Sequence, residues 1–167
     1  MKHKSIEELN NSEKNEFVEL LSDVYEESAW VAEQVHSKRP FSSVQALNDA
    51  MRDTVDSASR DTQLELLRAH PDLGEQTEMT DASETEQASA GLTDLSPAQY
   101  DTFQQLNNQY REKFGFPFIM AVKNKSPEAI QTTMEDRVEH ERDQEFETAL
   151  SQVHEIAKLR LQELFAP

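Results

Sequence analysis

A chain of 167 residues suffices for one domain, and 36% hydrophobic residues can fill a core of that size. Its 16 Lys and Arg stand against 33 Asp and Glu, and the formal net charge of −17 argues against nucleic-acid or anionic-membrane surfaces, which need clustered basic side chains. The absence of cysteine excludes disulfides, thiolate metal sites and cysteine nucleophiles together.

Only three glycines occur, and no strand-like alternation persists, so the chain reads as helical. Residues 12–27 form the first expected helix, with Phe17, Leu20, Leu21, Val24 and Tyr25 on one stripe. Residues 44–55 repeat the pattern with Leu47, Met51 and Val55. A third helix, 59–69, holds Leu64, Leu66 and Leu67 and runs into His70-Pro71. Proline cannot continue a helix and pushes its predecessor out of the α region. His70 is therefore expected just past a helix C-terminus, its imidazole exposed at the turn and contributing little packing. Residues 74–91 are polar and rich in small side chains, the mark of a loop carrying one short helix. Ser96-Pro97-Ala98-Gln99 is a strong helix start, with an N-cap, a first-turn proline and a capping-box glutamine. That helix should run to about Lys113 and stop at Phe114-Gly115. Residues 116–122 are apolar and non-helical, broken by Pro117; Ser126-Pro127-Glu128 then opens another helix, and a long amphipathic one follows over 144–165. No repeat or second domain is evident. No stretch approaches the roughly 18 apolar residues of a membrane span, and neither the N-terminal MKHKSIEELNN nor the C-terminal Leu164-Phe165-Ala166-Pro167 reads as a targeting signal. A cytoplasmic protein is expected.

A di-iron helical bundle needs two Glu-x-x-His pairs with two further glutamates, and the chain offers one pair, Glu33-Gln34-Val35-His36. No H-E-x-x-H, phosphate loop, dinucleotide fingerprint or G-x-S-x-G elbow is present. No metal site is expected. What remains is acid–base chemistry by histidine, carboxylate and arginine. His70 is the foremost candidate, because the turn can present it to a cleft and imidazole titrates near neutral pH. A plainer reading makes it a cation at a helix C-terminus, suited to the dipole. Ser83-Glu84-Thr85-Glu86 reads first as a capping box, with Ser83 as the cap, although a helix N-terminus also offers N–H groups to an anion. The Phe114–Ile119 run is either a core-filling connector or a pocket wall whose backbone groups meet a ligand. Arg160, among Ile156, Leu159, Leu161 and Leu164, is either solvated or a buried clamp for a carboxylate.

Taken together, Arg68-Ala69-His70-Pro71-Asp72-Leu73-Gly74, Ser83-Glu84-Thr85-Glu86-Gln87 and Ala90-Gly91-Leu92 resemble successive blocks of the 2-oxo-4-hydroxy-4-carboxy-5-ureidoimidazoline (OHCU) decarboxylases. Leu106-Asn107, Tyr110, Lys113 to Ile119, Ala121-Val122 and the Arg160 segment continue the match in order. Before Gln63 the likeness extends only to helical pattern and apolar positions. The resemblance implies an all-α, single-domain multi-helix bundle over residues 1–167, and we expect about eight helices. It also implies an enzyme without a cofactor, usually a homodimer, that converts OHCU to (S)-allantoin and CO2 in urate breakdown, functionally coupled to urate oxidase and hydroxyisourate hydrolase. His70 would be the proton donor, with Glu86 and Arg160 completing the catalytic set around one pocket. Pro71, Ser83, Glu84, Thr85 and Gln87 would contact the substrate, as would the backbone of Phe118, Ile119, Met120, Ala121 and Val122. The alternatives are a decarboxylase module of a longer fused urate-degrading polypeptide, and a non-catalytic helical adaptor with an exposed leucine-rich seam.

Overall fold

In a computed structural model, residues 5–74 and 79–165 are described, and the chain divides into two compact units. One comprises the chain up to Leu66 together with the segment from His154 onward; the other is Leu67–Val153. Among the described residues there are nine α-helices, one short 3-10 turn and no strand, so the all-α expectation holds.

The first unit contains α1 (Ile6–Asn10), α2 (Lys14–Leu21), α3 (Ala29–Val35), α4 (Val44–Asp56) and most of α5 (Arg60–Arg68). Helix α4 matches its expected limits because Ser43 caps it, accepting the Ala46 N–H, while Leu47, Met51 and Val55 face the core. The helix expected over 12–27 is shorter. It stops at Leu21, and the chain turns instead, with the Val24 N–H bonded to the Leu21 carbonyl, the Ser28 N–H to that of Tyr25, and Glu27 at φ 46°. Val24 and Tyr25 keep their core positions without the helix, which is why periodicity alone overran its end. Arg39 ties the α1–α2 connection down, its Nη1 donating to the carbonyls of Leu9, Asn10 and Ser12.

A buried histidine is also built into this unit. His154 Nε2 lies 2.9 Å from Asp56 Oδ1, and its Nδ1 lies 2.8 Å from the Tyr25 hydroxyl. A carboxylate only accepts, so Nε2–H donates to Asp56 and Nδ1 accepts from Tyr25. One neutral tautomer thus satisfies both ends. Desolvation pushes the His154 pKa below its ordinary value, outweighing the opposing pull of Asp56.

The second unit holds α6 (Asp81–Ser89), α7 (Pro97–Phe114), α8 (Pro127–Arg137) and the first half of α9 (Arg142–Leu164). The expected capping box at Ser96 is complete, and Gly115, left-handed at φ 81°, ends α7 where the sequence indicated. Ser126 caps α8 by accepting the Ala129 N–H.

Candidate functional site

Helix α5 ends at Arg68, and His70 lies just beyond it, its N–H bonded to the Leu67 carbonyl at 3.2 Å. The expected position is therefore correct, but the expected exposure is not. The His70 residue is 6% exposed, at the start of a turn whose following residues are fastened down.

Three side chains do the fastening. Gln87 of α6 accepts the Gly74 N–H at 3.0 Å and donates to the Asp72 carbonyl at 3.4 Å, and Asn107 of α7 donates to the Leu73 carbonyl at 2.9 Å. Arg111, one turn further along α7, places Nε 2.9 and 3.0 Å from the two oxygens of the buried Asp72 carboxylate. A primary amide suits this work, since it offers a donor and an acceptor to adjacent backbone groups. Gly74 is required here: φ is +82°, and an added Cβ would sit 3.0 Å from Leu95 Cδ1. Asn107 Oδ1 is buried with no hydrogen-bond partner among the described residues, which makes it a candidate acceptor for a ligand N–H.

Helix α6 begins differently from the capping-box reading. Thr80 is its N-cap, and Thr80 Oγ1 accepts the Ser83 N–H at 3.2 Å, so Ser83 stands inside the first turn rather than before it. Both threonine and serine can cap; the earlier one prevails because the helix already starts at Asp81. The shift brings Ser83 and Gln87, four residues apart, onto the buried side, with Glu86 half-buried beside them. Glu84 and Thr85 are exposed.

Residues 116–122 are non-helical as expected. Their aromatic members close on Tyr110: its ring lies 5.8 Å from Phe116 and 5.4 Å from Phe118, both edge-on. Arg137 secures the same stretch. Its Nη1 donates to the Ile119 carbonyl at 2.6 Å, its guanidinium lies 4.4 Å from the centre of the Phe118 ring, and its Nε pairs with the fully buried Glu145. Glu145 also receives the Tyr110 hydroxyl at 2.7 Å and meets His140 Nδ1 at 3.0 Å. Burial pushes the Tyr110 pKa up, so the hydroxyl stays a donor. The Ala121 N–H donates to Gln152 of α9 at 2.9 Å. Pro71, Met120 and Ala121 are half-exposed, and Phe118, Ile119 and Val122 are buried.

Arg160, described within the first unit, is buried rather than solvated. Its Nη1 donates to Glu26 Oε1 at 3.0 Å and to the Asp23 carbonyl at 2.7 Å, and Glu26 is 1% exposed. A guanidinium so braced is held in one orientation.

Arg111, Arg137, Glu145 and Gln152 went unseen in the sequence. Each acts on a partner far along the chain, and nothing local distinguishes it from a surface charge or amide. In the lone Glu-x-x-His pair, Glu33 is exposed and His36 Nε2 meets Arg39 Nη2. No cluster of three His, Asp or Glu suited to a metal occurs among the described residues, and no described helix is long and apolar enough to cross a membrane. An open cavity of about 470 Å³ in the first unit, walled by Trp30, Gln34, Lys38, Asp53 and Thr54 among others, includes none of the expected site residues.

The OHCU decarboxylase family model matches residues 10–162. A 2-oxo-4-hydroxy-4-carboxy-5-ureidoimidazoline decarboxylase of Halalkalicoccus jeotgali is 61% identical over 98% of this chain and 93% of its own. A uric acid degradation bifunctional protein of Bacillus sp. is 41% identical over 96% of this chain but only 32% of its own. Among solved structures, a crystal structure of (S)-allantoin synthase matches with a TM-score of 0.80 at 34% identity, covering 97% of this chain and 54% of that one.

Proposed function

The chain belongs to the OHCU decarboxylase family, and from that premise we propose that it decarboxylates OHCU to (S)-allantoin and CO2 in urate catabolism. It is then a carbon–carbon lyase. The observation that carries the reading at the level of chemistry is the single carboxamide of Gln87, which clamps the buried His70–Gly74 turn to the helix bearing Ser83 and Glu86. An acid–base residue and a polar helix face are thereby held as one rigid piece.

In OHCU the carboxylate sits on a carbon next to a ring C=N group. The electrons of the breaking C–C bond pass into the ring, so the substrate is its own electron sink and needs neither metal nor organic cofactor. His70 gives the proton that completes (S)-allantoin on one face, with Glu86 as its acidic companion. Ser83, Glu84, Thr85, Gln87, Pro71 and the 118–122 backbone contact the substrate. Arg160 is assigned to the negative charge that builds up as CO2 leaves, because a tight grip on the departing carboxylate would stabilise the ground state instead. Arg160→Lys should then lower kcat and not only raise KM, since Lys lacks the planar fork.

Circular dichroism of freshly generated OHCU, with and without the protein, tests the activity. Faster appearance of chiral allantoin is expected; an unchanged rate of decay refutes the proposal. A homodimer, a cytoplasmic location and coupling to urate oxidase and hydroxyisourate hydrolase belong to the same reading, and light scattering on the purified chain checks the first. A module of a longer urate-degrading polypeptide is the second reading, favoured by the bifunctional Bacillus relative. An adaptor would need an exposed apolar seam, whereas Tyr100 is the one exposed large hydrophobic side chain among the described residues.

A further inference from the structure

Residues 118–122 belong to no helix or sheet, so no ladder fixes the direction of their backbone N–H and C=O groups. Side chains do it instead. Arg137 holds the Ile119 carbonyl at 2.6 Å, and Gln152 holds the Ala121 N–H at 2.9 Å. Half-exposed Met120 lies between these two anchors, while Phe118 and Ile119 on one side are buried. Met120 and Ala121 are thus the half-exposed residues of a stretch whose orientation is set from both ends.

We infer that Gln152 is a positioning residue for substrate binding, acting through the Ala121 N–H on the peptide groups around Met120. The inference rests on the decarboxylase reading and on the 118–122 backbone as part of its binding surface. Gln152 suits such a role because it stands on α9, a 23-residue helix, and so anchors to that helix the end of the strap that Arg137 does not hold. Its atom assignment is forced by chemistry: the Ala121 N–H is a donor, so the amide oxygen must face it. An acceptor is the whole requirement. Glutamate supplies one at the same reach, whereas methionine fills similar volume without a comparable acceptor.

Gln152 is half-buried, as is Ala121, so water can replace the lost bond and the fold should persist without it. In Gln152→Met, KM should rise about fivefold to tenfold, the scale of one neutral hydrogen bond, with kcat nearly unchanged. Gln152→Ala should behave the same way. Gln152→Glu should bring KM back to within about twofold of the wild type, because the acceptor is restored. A merely structural side chain would shift the melting temperature and show no such rescue. An active wild type with KM unaltered in the Met and Ala variants, or with Glu as impaired as Met, overturns the inference alone. A wild type that does not accelerate OHCU decay removes the decarboxylase reading and this inference with it.

Discussion

The His70–Gly74 turn and the 116–122 strap are both non-helical, and both are held by side chains from neighbouring helices, but by opposite means. The turn is fixed by amides: Gln87 and Asn107 engage the polar backbone of Asp72, Leu73 and Gly74, and Arg111 adds its grip on Asp72 from half-exposed ground. The strap is fixed by a buried charge set in aromatics, with Arg137 joining Glu145, the Ile119 carbonyl and the Phe118 face. A neutral amide such as that of Gln87 costs little to bury when both ends are matched; a buried ion pair is expensive and tolerates no missing member. The turn therefore keeps its shape through several modest bonds, whereas the Phe118–Ile119 part of the strap depends on one cluster that fails as a whole, Gln152 holding Ala121 separately.

The sharpest way to break this contrast is Arg137→Met. It leaves Glu145 buried without its main partner, and a loss of about 3–5 kcal/mol in unfolding free energy is expected in urea titration. Combining it with Glu145→Leu should recover part of that loss. A single variant as stable as the wild type would remove the strap's charge cluster from the account. Next comes His70→Ala, expected to cost at least about a hundredfold in turnover, or about 2.7 kcal/mol of transition-state free energy. Allantoin formation at a near-normal rate by the folded variant would end the proton-donor role. Gln87→Leu is the smallest of the three, at about 1–3 kcal/mol, because it strands the Gly74 N–H and one bond to the Asp72 carbonyl. If it destabilised as much as Arg137→Met, the distinction between distributed and concentrated fastening would not stand.

Legibility in the sequence followed the same division. Helix ends closed by neighbours in the chain were readable: Ser96 and Gln99 close α7, Ser126 and Pro127 open α8, and Pro71 forces the chain out of α5. The two short helices α1 and α3 were passed over, although Ser5 caps α1 at Glu8 in a recognisable spacing. Five to seven residues complete too little of a period to stand out. Among the candidate site residues, His70 was singled out by its proline turn and the 118–122 stretch by motif resemblance; the burial of His70 and the side chains that anchor both segments were not read. Those depend on Asn107 meeting Leu73 and Arg137 meeting Ile119, contacts that span 34 and 18 residues and leave no periodic trace. The Thr80 cap was missed for a different reason. Two capping residues three positions apart compete, and only the helix that forms decides between them.

The neutral His154 bridge carries a consequence for acid tolerance. Protonation would put a hydrogen on Nδ1, facing a Tyr25 hydroxyl that now donates to that atom. The folded protein resists taking up this proton, and its His154 pKa lies below the ordinary value, whereas the unfolded chain accepts the proton near 6.5. Below that pH, unfolding therefore takes up a proton, and each further step toward acid favours the unfolded chain until the lowered folded pKa is itself passed. The contribution of His154 is fully present above about pH 6.5 and wanes as the solution acidifies. Gln retains amide contacts without an imidazole to titrate, so His154→Gln should flatten the fall in melting temperature between about pH 7 and pH 5. The interior bridge thus acts as a proton-linked weak point, exchanging stability for hydrogen ions only once the protein comes apart.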